Sequence, residues 1–465
     1  MNKKYIKGII LLGLTASIGF SSCQVVNKYK TPEVDSEELF RDENPTDTTS
    51  IADLSWREYF KDPILQALIE EGLEQNFDMQ IAMTRIQQAE ASLSMARAAY
   101  FPNVALVGQF NQSRTSSDKD GLNRDILGYS STQYGLGIAV TWEADLWGKL
   151  NRQARASFAQ MLSTHAYRDL IQTSLISNIA TSYYSLMALD EQLRVTKETV
   201  ELLRQSSETM QALKDAGMLN GAAVEQSKGL MYGTAVSIPS LEIQIRTLEN
   251  SLCLLLARKP GSVMRASIEN QDVPEEISFG VPVQMLAKRP DVQQAELAFR
   301  SAFELTNAAQ ASFYPSLTLN SGSLIGFVEN FKPENIIANI LASLTQPIFA
   351  QKQLIGQLRI RKAQQEESLL SFQKAVLTAG KEVSDIMYTY EASLTKNAPR
   401  AKQVESLGTA VYFTQELLKA GESDYTEVLI AEQNLLQAQL GQVSDKLEQL
   451  QATVDLYRAL GGGVK

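Results

Sequence analysis

Apolar positions recur along this chain in two distinct rhythms. From Pro63 to Ala99, Ile64, Leu68, Leu73, Ile81, Ile86 and Leu93 stand at helical spacing with few breakers, which predicts one helix that stops at Tyr100-Phe101-Pro102. The period then changes to two. Val104, Leu106, Gly108 and Phe110 alternate with Ala105, Val107, Gln109 and Asn111. Beyond a polar segment from Asn111 to Ser131, Leu136, Ile138, Val140 and Trp142 alternate with Gly135, Gly137, Ala139 and Thr141. Both stretches read as strands with one apolar face. From Leu150 to Lys214 no proline occurs, which permits a helix about 95 to 100 Å long at 1.5 Å per residue. A helix of that length must bury its apolar stripe along partner helices rather than in a compact core.

The same order returns roughly 200 residues later. Ala96-Arg97-Ala98-Ala99-Tyr100-Phe101-Pro102 matches Ala309-Gln310-Ala311-Ser312-Phe313-Tyr314-Pro315, and Leu213-Lys214-Asp215-Ala216-Gly217 with Val224 matches Leu418-Lys419-Ala420-Gly421 with Val428. Two repeats are expected, 54–262 and 280–463, joined by a connecting segment 263–279. In the second, Gln351 to Asn397 predicts a long helix, Pro399 a break or turn, and Ser423 to Leu460 the returning helix. The Ser321 to Ile337 segment is expected as the shorter companion of the Asn111 to Ser131 loop, both at the cell surface. Four strands per chain cannot close a barrel, for which about eight is the practical minimum. An open sheet in lipid would leave edge amides and carbonyls unsatisfied, so strands that span a membrane require several chains to share one barrel.

The N-terminus sets the compartment. Lys3, Lys4 and Lys7 precede an apolar run, Gly8 to Phe20, too short to anchor as a span, so residues 1–22 read as an export signal. It ends at Phe20-Ser21-Ser22-Cys23, which resembles a bacterial lipoprotein cleavage box, with Cys23 lipidated and 23–53 forming a lipid-anchored extension. Gln24 after the cysteine favours delivery to the outer membrane. Apolar residues make up 44% and charged ones 21% of the 465 residues, too polar for a bundle of membrane-spanning helices. The net charge of −10 offers nucleic acid no attractive field. Catalytic parts are missing as well: the single histidine, His165, sits inside the long helix, and no metal-ligand spacing, phosphate loop or nucleophile motif is present. Neither an enzyme, a metal nor a cofactor is expected. Cys253, in an apolar helical stretch, reads as a small buried side chain.

Four motifs in order carry a family resemblance: Trp56-Arg57-Glu58-Tyr59-Phe60-Lys61-Asp62-Pro63; Trp142-Glu143-Ala144-Asp145-Leu146-Trp147-Gly148-Lys149; Ile238-Pro239-Ser240-Leu241-Glu242 with Pro260-Gly261; and Lys288-Arg289-Pro290-Asp291 with Phe313-Tyr314-Pro315-Ser316. Over nearly the whole mature chain the sequence resembles TolC-like outer-membrane efflux factors, in their lipoprotein branch. The resemblance implies an α+β membrane protein: a long α-helical barrel with a four-stranded contribution to a shared transmembrane β-barrel, built as a homotrimer. It implies a passive exit duct in outer-membrane lipid, served by a periplasmic adaptor and an inner-membrane transporter of the resistance-nodulation-division (RND) type. The inner end would be closed by two tips carrying Gly217, Gly221 and Gly421, where the adaptor docks. Family members commonly place aspartates just after the second tip glycine. Here the aperture candidates are Asp424, Glu427 and Ile430, acids that favour cations and an apolar residue that excludes water. Two other readings share much of this pattern: a lipid-tethered periplasmic helical scaffold, and the duct of a dedicated secretion system.

Overall fold

A computed structural model describes residues 27–33, 54–115, 129–271, 288–328, 332–348 and 350–464. The export signal and Cys23, most of the 23–53 extension, and the 116–128 segment lie outside the described residues. After a single helical turn, Trp56–Tyr59, come α1 (Pro63–Gln75), α2 (Phe77–Ala98), β1 (Asn103–Thr115), β2 (Tyr129–Ala144), α3 (Lys149–Asp215), α4 (Gly221–Ala235) and α5 (Ser237–Leu255). The second half supplies α6 (Pro290–Ala311), β3 (Ser316–Val328), β4 (Lys332–Thr345), α7 (Gln353–Ala420) and α8 (Tyr425–Ala459). With 67 residues, α3 is about 100 Å long at 1.5 Å per residue. Among the described residues no helix is long and apolar enough to cross a membrane.

Three expectations are corrected. The helix read from Pro63 to Ala99 is two helices, because Asn76 ends α1 and caps α2: its Oδ1 accepts from the backbone of Asp78 at 2.8 Å and Met79 at 3.1 Å. Its amide also donates to the Leu255 carbonyl at 2.8 Å, so the bend is tied to α5. Second, Pro399 does not break the chain; α7 runs through it for 68 residues. The flanking turns are clamped to α8 by Lys396–Glu448 and Arg400–Asp445 ion pairs and by Gln449, which donates to the Ser393 carbonyl at 2.9 Å and the Asn397 side chain at 2.6 Å. A packed neighbour thus holds a helix that proline alone would end. Third, Ser321 to Ile337 is not a loop but the paired ends of β3 and β4, apart from 329–331, which lie outside the described residues.

Contacts divide the chain into two units, each drawing on both halves. Of the described residues, the first holds 27–32 and those within 87–163 and 296–371. Its centre is an antiparallel sheet in the order β1-β2-β3-β4. Registers such as Leu106↔Ile138, Trp142↔Leu319 and Leu319↔Ala342 gather most apolar positions of the four strands on one face, with Val107 and Leu341 falling on the other. Beneath the sheet, a buried ion pair joins the helices: Arg152 donates to Glu304 at 2.7 Å.

The second unit holds 33–86, 164–295 and 372–465. Its core seats Trp56, Phe60, Leu65 and Ile69 against Ile176, Ile179, Tyr183 and Met187 of α3, with Leu252 of α5, Leu256 just after it, and Tyr457 of α8. Tyr59 stacks on Tyr457 with ring centres 4.4 Å apart. The Arg289-Pro290-Asp291 motif is a clamp here. The buried Arg289 guanidinium holds both Asp291 oxygens, at 3.0 and 2.8 Å, reaches Glu382 at 2.7 Å, and caps α8 by donating to the Ala459 carbonyl at 2.7 Å. Pro290 opens α6, where its missing N–H costs nothing.

Candidate functional site

The strands have the dimensions and patterning of membrane-spanning ones. They are 13 to 16 residues long, above the roughly 9 to 11 needed to cross a bilayer when tilted. On the apolar face Val104, Leu106, Phe110, Leu136, Ile138 and Leu344 are exposed. The opposite face carries Asn103, Gln109, Asn111, Thr141, Thr318, Asn320 and Ser343. Among the described residues, only one side of β1 and one of β4 is paired.

Where strands meet helices, the aromatic motif is structural. Trp142 Nε1 donates to the Tyr100 carbonyl at 2.8 Å, and Gln346 makes the corresponding bond to the Phe313 carbonyl at 3.0 Å. Trp147 Nε1 donates to the Pro315 carbonyl at 2.8 Å and lies 5.1 Å from the Tyr314 ring. Asp145 caps α3 by accepting from Leu150 at 2.9 Å and Asn151 at 2.8 Å, and Gly148 takes the positive φ of +75° that the turn requires.

Six residues beyond Cys23, the chain is already seated on α6. Tyr29 packs between Phe299 and Phe303, with ring centres 5.9 and 5.6 Å away and the Arg300 guanidinium 5.4 Å over its face. The Tyr29 and Thr31 hydroxyls donate to Glu296 at 3.3 and 3.0 Å. Burial, with the Glu296 charge adding to it, pushes the Tyr29 phenol up to about 12. This strap was not legible beforehand, because isolated short-range motifs say nothing about a contact over 267 residues.

The two turns anticipated as tips come together in the second unit. At each, a glycine follows the long helix with positive φ, +77° at Gly217 and +76° at Gly421. Each closes the same C-terminal motif: Gly217 and Met218 donate to the Lys214 and Leu213 carbonyls at 2.9 Å, Gly421 and Glu422 to Leu418 at 3.1 Å and Leu417 at 2.9 Å. The equivalence therefore pairs Leu213 with Leu417 and Lys214 with Leu418, one residue from the alignment read in the sequence. Gly221 does a different job as the first residue of α4, whose cap is Asn220. Met210, Val224, Leu418 and Val428 form a common apolar layer just inside the turns.

Of the aperture candidates, Asp424 caps α8, accepting from the Thr426 backbone at 3.0 Å and its hydroxyl at 3.1 Å. Glu427 accepts from the Ser423 hydroxyl at 2.5 Å, and Ile430 stands 54% exposed on the same helix. Nearby is an acid the sequence reading passed over. Glu432 is buried, accepts from the Gln415 amide at 2.9 Å with the Ser206 hydroxyl as a second donor, and its Oε2 has no partner. Burial raises its pKa. Its signal was a spacing of one helical turn from Val428, which puts it in the buried stripe. Elsewhere, His165 is half-buried on α3, and Cys253 is buried with its thiol 3.4 Å from the Gly261 carbonyl. No cluster of metal ligands occurs among the described residues.

The profile of the outer membrane efflux protein family matches residues 68–258 and again 281–462. The chain belongs to that family. It is 28% identical over 483 residues to the probable efflux pump outer membrane protein TtgC of Pseudomonas putida, across 98% of this chain and 96% of the relative. It is 27% identical over 418 residues to the probable outer membrane lipoprotein SilC of Salmonella typhimurium, across 89% of each. The open-state MtrE outer membrane channel of Neisseria gonorrhoeae superposes with a TM-score of 0.82 over 95% of this chain and 99% of that one, at 26% identity. An outer membrane efflux protein resides in the outer membrane, and its membership is in an efflux family rather than an enzyme family. The largely helical fold with a four-strand sheet is the one these channels share.

Proposed function

We propose that this outer membrane efflux protein is a lipid-anchored homotrimeric exit duct, passive in itself, that accepts cargo from an inner-membrane pump of the RND type through a periplasmic adaptor. The observation that carries the reading is the sheet: one face mostly apolar, the other mostly polar, and outer edges of β1 and β4 left unpaired among the described residues of a single chain. In hydrocarbon those edges demand neighbouring strands, and three chains contributing four each exceed the roughly eight needed to close a barrel. Two internal repeats are supported by the twofold family match and by the corresponding bonds at the two strand-helix junctions. Anchoring through Cys23 is supported by the motif and by the strap that begins just beyond it.

The turns carrying Gly217, Gly221 and Gly421 would form the periplasmic end and the adaptor's docking place. Around a threefold axis, repelling carboxylates at Asp424 and Glu427 cannot hold an aperture shut, whereas three copies of Ile430 can exclude water. The purified oligomer should conduct in planar bilayers and migrate in a heat-modifiable way in detergent gels. Ile430→Ala should raise the resting conductance and Glu427→Gln chiefly weaken cation preference. An oligomer that conducts nothing would favour the tethered scaffold instead.

A further inference from the structure

We infer that Glu432 is a proton-binding site that reports and controls the packing of the two helical turns: protonated while α8 lies against α3 and α7, ionised once that packing loosens. The inference starts from a mismatch. Glu432 occupies the layer one turn above the apolar one of Met210, Val224, Leu418 and Val428, where its side chain is 6% exposed. A carboxylate there needs cations or several donors, since an unpaired buried charge costs several kcal/mol, roughly what a whole domain has to spare. It has only neutral side-chain donors, the Gln415 amide at 2.9 Å and the Ser206 hydroxyl, and its second oxygen has no partner.

No cation relieves it from any element packed against it. On α3 the same level presents Ser206 and Ser207, while Arg204 lies on the exposed side, taken by Glu201 and Glu208. On α4 it presents Ser227, buried and with its hydroxyl unpartnered, while Lys228 is exposed and paired with Glu225. On α7 the charged residues next to Gln415 are Glu416 and Lys419, exposed and paired with each other. On α8 itself, Val428 and Ala431 are buried, and the acids Glu427 and Asp424 are exposed and engaged with Ser423 and Thr426. The neutral acid is the form this layer accepts.

The sign of the linkage follows. Burial raises the carboxyl's pKa in the packed state above its value in water, so packing is favoured most below the solvated pKa and loses that advantage as pH rises through the packed one. Separating α8 from α3 and α7 hydrates Glu432, and its proton passes to water. Acid should therefore hold the turns together and alkali should loosen them. If the turns are the closable end of the duct, as proposed above, resting conductance rises with pH by the same linkage.

Glu432→Gln keeps the shape and removes the proton. Infrared difference spectra of wild type against Glu432→Gln should show a protonated carboxyl band in the wild type that titrates above the exposed glutamates. Amide hydrogen exchange over 426–436, corrected for its intrinsic pH dependence, should accelerate about tenfold across that titration in the wild type and stay flat in the variant. Glu432→Leu provides a second pH-insensitive variant should Gln fail to fold. A missing band, or equal exchange profiles in wild type and variant, overturns the inference. Planar-bilayer recordings separate the two readings. A conducting oligomer whose current ignores the titration disconnects the proton site from the gate. An oligomer without current at any pH defeats the duct and leaves the infrared and exchange results to decide Glu432.

Discussion

Gly217 and Gly421 occupy left-handed backbone that any side chain would strain, whereas Gly221 opens a helix with ordinary geometry. An added Cβ would meet nothing within 4 Å at Gly217 and only the Met218 methyl at 3.9 Å at Gly421, so the penalty there is conformational rather than steric. Gly217→Ala and Gly421→Ala should each cost about 1 kcal/mol, while Gly221→Ala should be neutral or slightly stabilising. Thermal unfolding of the detergent-solubilised protein reads the difference. The converse change belongs at the second strand-helix junction. There Gln351 and Lys352 take positive φ of 46° and 64°, where the first junction uses Gly148. Lys352→Gly should raise stability by about 1 kcal/mol for the same reason.

At the scale of elements, α7 passes through Pro399 because α8 holds both sides of it. The proline removes one backbone donor and crowds the preceding turn, at roughly 3 kcal/mol in an isolated helix. The Gln449 amide and the Arg400–Asp445 and Lys396–Glu448 pairs fix the strands of that turn from across the interface. Of these, the exposed Lys396–Glu448 pair contributes little, whereas the buried Gln449 contacts and the Arg400–Asp445 pair, whose carboxylate is buried, carry the clamp. Pro399→Ala should therefore stabilise the protein, and Gln449→Ala should destabilise it by about 1 to 2 kcal/mol. A double-mutant cycle should show the Gln449 loss reduced once Pro399 is gone; strict additivity would mean that the two act independently.

For the whole molecule, the strap limits how far a lipid on Cys23, as proposed, could lie from α6. Six peptide units separate Tyr29 from Cys23, so an acylated Cys23 lies within about 20 Å of the Tyr29 site on α6. Anchoring and strap docking should be separable. Cys23→Ala should abolish acylation, read by mass spectrometry of the mature N-terminus, while leaving residues 27–32 protected from proteolysis. Tyr29→Ala with Glu296→Ala should do the reverse. An unmodified N-terminus in the wild type would refute the anchor.

Periodicity alone determined the long helices and the first strand pair, because a helix stripe and a strand's alternation are local signals carried by consecutive residues, while the second pair followed only from the recurrence of the first half's pattern and its extent was misread. Glycines in a C-terminal helix motif were likewise readable at Gly217 and Gly421. The continuity of α7 at Pro399 was not, since proline's local preference is to end a helix and only α8 outweighs it. Nor was the split at Asn76, whose capping is completed by a carbonyl of α5 distant in sequence. The strap on α6, the Arg289 clamp and the burial of Glu432 each depend on residues brought together from separate stretches of chain. An acid in a buried stripe looks, in sequence, like any solvated glutamate; what it faces is decided only when α3, α4, α7 and α8 pack, because desolvation is a property of the surroundings and not of the side chain.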